Sequence, residues 1–363
     1  MLQYRHMSIL FLARTPLPDD TKLLFGHICQ YIQQKHISLA IIHPHNAWEN
    51  SQYKSGKIFK WSSVPKSIIK IILFPLIFIL EILRVGSWKL KYHTTTVVLF
   101  TLEDQLRLTL PAKLFRIKIV WHQPILPPKI VYVWWNLCSR FAISYFVSPA
   151  MIHIAPFSAK IPHLVLPIPL LSPVQQHTDT DLPHTSTQKF IIGMAGDISP
   201  ESGFEYAIKA MPIIREVVPY AQLIIAGEGK EKKKLLWLIE QMGLKESIKI
   251  VSQGKQRANW MRHFTLFLFL PQNNFVSLQP LLEAMSAGCP IVASHIEIIR
   301  DIIIPSKHGI LIEPQNSEMI AQAIINFANH PDWRVTMGEL CRRNIIEHHS
   351  LEGYLKEFEH IVR

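Results

Sequence analysis

Residues 191–214 read IIGMAGDISPESGFEYAIKAMPII, residues 221–230 read AQLIIAGEGK, and residues 278–294 read LQPLLEAMSAGCPIVAS. These segments predict three apolar strands, with loops and helices between them. The loops carry five glycines: Gly196, Gly203, Gly227, Gly229 and Gly288. A doubly wound α/β domain presents backbone amides and helix N-termini to a phosphorylated ligand in this way.

The order and spacing of these segments resemble the nucleotide-sugar-binding half of family 4 (group 1) glycosyltransferases. The resemblance implies the α/β GT-B fold, in which two Rossmann-like, doubly wound domains face each other across a cleft. It covers nearly all of the C-terminal half, to about residue 347. Over the N-terminal half it is faint and rests on the strand–helix order and on His122.

Four segments are expected along the chain of 363 residues, which is long enough for two domains. Residues 1–170 form an acceptor-side Rossmann-like domain, and residues 171–189, rich in Pro, His and Thr, form a linker. Residues 190–345 form the nucleotide-sugar-binding domain. The resemblance implies that residues 346–363 form a C-terminal helix that packs back on the first domain.

The resemblance assigns donor-binding roles in the segment 275–283. Glu283 matches the second acid of a Glu-x7-Glu motif that binds ribose hydroxyls, and a carboxylate can accept two such hydrogen bonds. The alternative is an ordinary solvated acid. The first acid of the motif is replaced by Phe275, and the amides of Val276, Ser277 and Leu278 are expected to hold the diphosphate.

The resemblance also places donor contacts between Gly196 and Gly203. Family members carry an Arg after the first glycine and a Lys before the second, and both bind the diphosphate. Here these positions are Asp197 and Ser202. Neighbouring loops offer other cations as candidate diphosphate ligands, chiefly Lys255 and Arg257, with Lys230 and Arg262.

His122 is the candidate catalytic residue of the first domain. It closes the strand IKIVW and matches a family histidine that lies near the reacting sugar carbon. A structural role is the alternative, because the chain has 18 histidines. No metal-ligand pattern stands out, and the resemblance implies that no metal or other cofactor is needed.

The charge is uneven along the chain, whose net charge is +11. Residues 1–186 contain 19 Lys and Arg against 8 Asp and Glu, whereas the rest contains 19 of each. An anionic partner is therefore expected for the first half, although an incidentally basic surface would look the same. Lipid is favoured over nucleic acid, because residues 71–80 read IILFPLIFIL and no nucleic-acid-binding motif is present.

That apolar run is too short to cross a bilayer, which needs about 20 residues. It fits either a helix in the membrane interface or a buried helix covering the sheet, and the two can coexist. Four well-separated cysteines and the absence of an opening signal sequence favour the cytoplasm. A peripheral position at the inner face of the membrane is expected.

The resemblance implies a retaining transfer of a sugar from a nucleotide-diphosphate donor. The expected acceptor is a lipid-linked or surface-polysaccharide precursor of the cell envelope. Asp197, Ser202 and Phe275 support a second hypothesis, a catalytically degenerate GT-B protein that serves as a binding or scaffold subunit. A GT-B sugar-nucleotide epimerase explains the segment 281–288 less well.

Overall fold

The structure is a computed structural model. It describes residues 8–12, 19–35, 38–44, 57–61, 74–123, 131–146, 163–171, 190–252, 260–274 and 276–362. The chain forms two compact units. The first contains Met1–Pro167 together with Glu352–Arg363, and the second contains Ile168–Leu351.

The first unit is built on a parallel sheet. Its described strands are β1 (Ser8–Leu12), β2 (Ser38–Pro44), β3 (Lys57–Trp61), β4 (Thr96–Leu99), β5 (Lys118–Gln123), β6 (Ile143–Phe146) and β7 (His163–Val165). Their order is β3-β2-β1-β4-β5-β6-β7. All four residues of β4 are buried, as expected where helices cover both faces of a parallel sheet.

The helices between these strands are α1 (Asp19–Gln34), α2 (Phe74–Tyr92), α3 (Leu102–Leu114) and α4 (Tyr132–Ser139). Helix α3 begins at Leu102, where the hydroxyl of Thr101 accepts the amide of Asp104 at 3.3 Å and caps the helix. Trp121 of β5 packs against this layer of helices. Its indole nitrogen donates to Thr109 of α3, and its ring centroid lies 6.0 Å from that of Trp135 in α4.

The second unit contains the strands β8 (Phe190–Asp197), β9 (Ala221–Glu228), β10 (Ile248–Val251), β11 (Leu266–Phe269), β12 (Ile291–Ser294) and β13 (Gly309–Ile312). Its helices are α5 (Phe204–Val217), α6 (Lys232–Gln241), α7 (Gln279–Ser286), α8 (Glu297–Arg300), α9 (Ser317–Asn329) and α10 (Pro331–His348). The parallel strands lie in the order β10-β9-β8-β11-β12-β13. The chain therefore runs outward from β8 in one direction and from β11 in the other, and the sheet has its switch point between these two strands.

The last helix, α11 (Leu351–Val362), belongs to the first unit. The ring of Phe358 stacks on that of Phe11 in β1, with centroids 6.2 Å apart. The hydroxyl of Tyr31 in α1 donates to the Glu359 carboxylate at 2.8 Å. Since Phe11 and Trp121 occupy opposite faces of the sheet by register, α11 and α1 lie on the face opposite to α3 and α4.

The C-terminal helix expected over residues 346–363 is interrupted near its start, and α11 begins at Leu351. Helix α10 ends at His348, and His349 leaves the helical conformation with φ −124°. The Nδ1 atom of His349 lies 2.8 Å from the Ile168 carbonyl oxygen, and its own carbonyl accepts the amide of Leu170 at 2.8 Å. These contacts with a segment about 180 residues away fix the break, so local periodicity could not reveal it.

The predicted apolar run 71–80 falls partly outside the described residues, and its described part opens α2. No described helix is both long enough and apolar enough to cross a bilayer. One side of α2 is buried, through Val85 and Trp88, and the opposite side is exposed. The helix is therefore partly buried in the first unit, and its contact with a membrane interface stays a prediction.

Candidate functional site

A cavity of about 240 Å³ lies at the carboxyl ends of β8 and β11 in the second unit. This is the switch point of the sheet, where doubly wound domains bind their ligands. Its lining comes from the end of β8, the loop before α5, the end of β11 and the loop before α7: Met194, Ala195, Gly196, Asp197, Ser199, Ser202, Phe204, Leu268, Phe269, Leu270, Pro271, Val276, Ser277 and Pro280. Asp197 is the one ionisable side chain among these lining residues.

A short 3₁₀ turn, Pro200–Ser202, forms one wall of the cavity. The Ser202 hydroxyl donates to the Asp197 carbonyl at 2.7 Å and lies 2.9 Å from the Ser199 hydroxyl. Gly203 ends the turn with φ +74°, a left-handed conformation that favours glycine. The wall is therefore held by its own backbone and by two serine hydroxyls.

Two helix N-termini border the cavity. Phe204 is the first residue of α5, and Ser277 and Pro280 flank the start of α7. The residues that precede the two helices, Gly203 and Leu278, supply no side-chain cap, and the Ser277 hydroxyl accepts the amide of Gln279 at the start of α7 at 3.3 Å. A helix N-terminus carries a partial positive charge of about half an elementary charge and unsatisfied amides, so this geometry suits an anion.

The sequence profile of the family described as "Glycosyl transferases group 1" matches residues 179–343. This range contains the whole cavity and most of the second unit. The second unit is a group 1 glycosyltransferase domain. The resemblance to that family, first drawn from the glycine loops and the segment 278–294, is confirmed.

A curated relative of this domain is the poly(ribitol-phosphate) alpha-N-acetylglucosaminyltransferase of Staphylococcus aureus (strain COL). It is 27% identical over 176 residues, which cover 48% of this chain and 35% of that enzyme. The chain spans less than half the length of the first curated relatives that it matches.

Solved structures extend the comparison to the whole chain. A glycosyltransferase from Rickettsia africae ESF-5 superposes with a TM-score of 0.83 at 14% identity, over 99% of this chain and 98% of that one. Anabaena HepE in complex with UDP gives a TM-score of 0.77 at 16% identity, over 98% and 99% of the two chains. The predicted fold class, GT-B, is confirmed.

The structure brings together five of the residues predicted to bind the donor. Gly196, Asp197, Ser202, Val276 and Ser277 all line the cavity of the glycosyltransferase domain. Gly203 and Leu278 are buried beside it and do not line it. Phe275, Lys255 and Arg257 lie outside the described residues.

Glu283 lies in the second turn of α7 and is 1% exposed. The interpretation of this residue as a solvated surface acid is therefore wrong. The residue has an interaction partner, and it does not line the cavity. Its role as a ribose ligand stays a prediction.

Sequence reasoning singled out residues 275–278 of the loop that follows β11, but not Gln272 and Asn274 in the same loop. The Gln272 amide donates to the Glu201 carbonyl at 2.8 Å, and its side-chain nitrogen donates to the Pro200 carbonyl at 2.8 Å. Asn274 donates to the Glu297 carboxylate at 2.9 Å, and this hydrogen bond is the largest cause of the lowered pKa of Glu297. The switch-point rule could have pointed to Gln272 and Asn274, because they directly follow one of the two central strands.

His122 lies in the interior of the first unit and is 2% exposed. By register it shares a face of the sheet with Phe100, and the two ring centroids are 5.2 Å apart. Burial lowers the pKa of His122 to about 3, so the imidazole is neutral at physiological pH. The catalytic role of His122 stays a prediction.

We expect His122 to make the first unit less stable in acid. The folded pKa of about 3 lies below the ordinary value of 6.5, so only the unfolded chain takes up this proton between these pH values. The free energy of unfolding should then fall by up to about 1.4 kcal/mol per pH unit from pH 6.5 downward. Denaturant unfolding of His122→Gln across this range should show a shallower pH dependence. His360→Gln, at an exposed position, is the matched control, and equal slopes in both variants would contradict the prediction.

Among the described residues, no group of three or more His, Cys, Asp or Glu side chains could hold a metal ion. The four cysteines are free and buried, and burial raises the pKa of each thiol.

Proposed function

We propose that this protein transfers a sugar from a nucleotide-diphosphate donor, and that the cavity between β8 and β11 binds the diphosphate. The observation that carries the proposal is the convergence of two helix N-termini on a cavity at the switch point. The hydroxyl of Ser277 also lines the cavity and can hydrogen-bond a phosphate oxygen, whereas the hydroxyl of Ser202 already donates to the Asp197 carbonyl.

The proposed acceptor is a lipid-linked or surface-polysaccharide precursor at the inner face of a membrane. Relatives named for such acceptors support it: the Staphylococcus aureus enzyme is named for poly(ribitol-phosphate), and a Rhizobium leguminosarum relative for lipopolysaccharide core biosynthesis. The basic first half of the chain is proposed to hold the protein at anionic lipid. The cytoplasm is the proposed compartment.

The remaining steps of the proposal follow the family. Transfer proceeds with retention at the anomeric carbon and needs no metal. Glu283 accepts hydrogen bonds from the ribose hydroxyls, and His122 supports the reaction centre from the first unit. Because His122 is neutral and buried, its role is to orient a group or accept a hydrogen bond, and it does not donate a stored proton.

One observation favours the second candidate, a degenerate GT-B protein that binds without catalysis. Asp197 places a carboxylate where the family carries an arginine, and it lies at the wall of the diphosphate cavity. A negative charge there opposes an anionic ligand. A protein of this kind would fold identically and would bind a nucleoside diphosphate weakly or not at all.

Calorimetric titration with UDP, GDP and their common sugar conjugates tests the proposed site. We expect the wild-type protein to bind one of them, and Ser202→Trp to weaken binding at least about tenfold, since the indole would occupy the cavity. The matched control is Glu201→Trp, in the same 3₁₀ turn but outside the cavity lining. If Ser202→Trp leaves binding unchanged, the donor binds elsewhere. If the folded wild-type protein binds none of these ligands, the hypothesis of a degenerate GT-B protein is favoured.

A further inference from the structure

The outward face of α2 presents a row of large apolar side chains. Ile79 is 53% exposed, Leu80 50%, Leu83 65% and Leu90 80%. At 3.6 residues per turn, Ile79, Leu83 and Leu90 fall within about 40° of one another around the helix axis. Apolar residues scattered singly over a surface are ordinary, but an aligned row of this size indicates an interaction surface.

The charges on α2 are sorted between its two faces. Its one acidic residue, Glu81, is 2% exposed and pairs with Arg84 at 3.3 Å. Lys91 is exposed, and it follows Leu90 at the border of the apolar row. The outward face of α2 is therefore apolar with a basic border, and its carboxylate is turned into the unit.

The end of α3 continues this surface. The ring of Phe115 lies against Gly86 of α2 so closely that a Cβ on Gly86 would be 2.8 Å from the ring. This contact brings the exposed Leu114 beside the row on α2, with the exposed Lys113 and Arg116 around it. We define the α2 patch by its apolar and basic members: Ile79, Leu80, Leu83, Leu90 and Leu114, with Lys91, Lys113 and Arg116.

We propose that the α2 patch rests on an anionic lipid surface, with α2 lying in the plane of the membrane interface. Apolar insertion and electrostatic attraction act together on such a surface, and either alone gives weak attachment. Charge complementarity selects lipid as the occupant, because the patch is bordered by cations and the whole net charge of +11 resides in residues 1–186.

The surface deepens the proposed function, because it would bring a lipid-linked acceptor to the same unit that binds the membrane. Its test does not depend on donor binding. Lipid attachment without nucleotide affinity would leave the α2 patch standing and count against the enzyme. Nucleotide affinity without lipid attachment would overturn the α2 patch and support the enzyme.

Vesicle sedimentation of the full chain tests the patch, with vesicles of phosphatidylcholine alone or containing one-third phosphatidylglycerol. We expect binding to the anionic vesicles at roughly 0.1 M salt and a marked loss at roughly 1 M, where the Debye length shrinks from about 10 Å to about 3 Å. The double variant Leu83→Asp, Leu90→Asp should bind about 10²-fold more weakly, since two apolar side chains no longer enter the interface. Lys91→Glu should lower binding about tenfold or more, because it reverses one charge at the surface.

Matched controls lie on the second unit. The double variant Val335→Asp, Ile346→Asp replaces apolar residues of similar exposure, 64% and 68%, and Lys233→Glu reverses an exposed lysine. Both controls should bind vesicles like the wild type. The proposal would be overturned if the wild-type protein does not bind anionic vesicles. It would also be overturned if the patch variants and the control variants bind them equally. A dimer in lipid-free sedimentation velocity that Leu83→Asp, Leu90→Asp converts to a monomer would overturn it as well, because the patch would then join two copies of this chain.

Discussion

The double variant Asp197→Arg, Ser202→Lys should bind nucleoside diphosphates about 10²- to 10⁴-fold more tightly than the wild-type protein. A charge-assisted hydrogen bond contributes about 1.5–3 kcal/mol, so two of them contribute about 3–6 kcal/mol. Each 1.4 kcal/mol is about tenfold in affinity. The variant also removes Asp197, the one carboxylate among the residues that line the cavity. Calorimetric titration with UDP and GDP measures the gain.

The change should cost little stability, because Asp197 is exposed and Ser202 is half-exposed. The hydroxyl of Ser202 donates one hydrogen bond to the Asp197 carbonyl, worth about 1 kcal/mol. Glu246→Lys, an exposed charge reversal at a residue that does not line the cavity, controls for two of the three positive charges that the double variant gains. A fall in affinity in the double variant would show that the native Asp197 and Ser202 contact the ligand themselves and that the site is specialised.

The second sheet could be predicted from the sequence because its strands are short apolar runs between glycines and prolines. All four residues of β11 and of β12 are buried, and β11 continues directly into a loop at the cavity. In the first unit, β3 and β7 were not predicted. They are short strands of the sheet that pair with β2 and β6, so their strand character depends on neighbours distant in the chain.

The candidate site could be predicted only in outline. The glycine positions and the helix start at residue 279 locate the cavity, because backbone geometry follows from those residue types. The surroundings of Glu283 and His122 could not be predicted. Each is the polar residue of an apolar segment, and such a residue can lie either at the surface or in the interior. Tertiary packing decides between the two positions and buries both side chains.

Gly203→Ala should lower the free energy of unfolding of the second unit by about 3–5 kcal/mol, a loss typical of a severe backbone clash. Gly203 has φ +74°, and a Cβ there would lie 2.0 Å from the Leu270 carbonyl oxygen at the end of β11. The clash is with backbone, so relief requires β8 or β11 to move where both strands border the cavity. Denaturant unfolding should show the loss of stability, and calorimetric titration should show weaker nucleotide binding in the protein that remains folded.

Gly243→Ala separates the two causes of this loss of stability, the backbone clash and the conformational penalty of a left-handed residue. Gly243 has a similar left-handed conformation, φ +67°, but a Cβ there would meet no atom within 4 Å. Its replacement should therefore cost only the conformational penalty of about 1–2 kcal/mol, with nucleotide binding unchanged. The difference between the two variants measures how tightly the turn before α5 is packed against β11. Equal losses in the two variants would mean that the end of β11 yields easily, and that the wall of the cavity is not held by this contact.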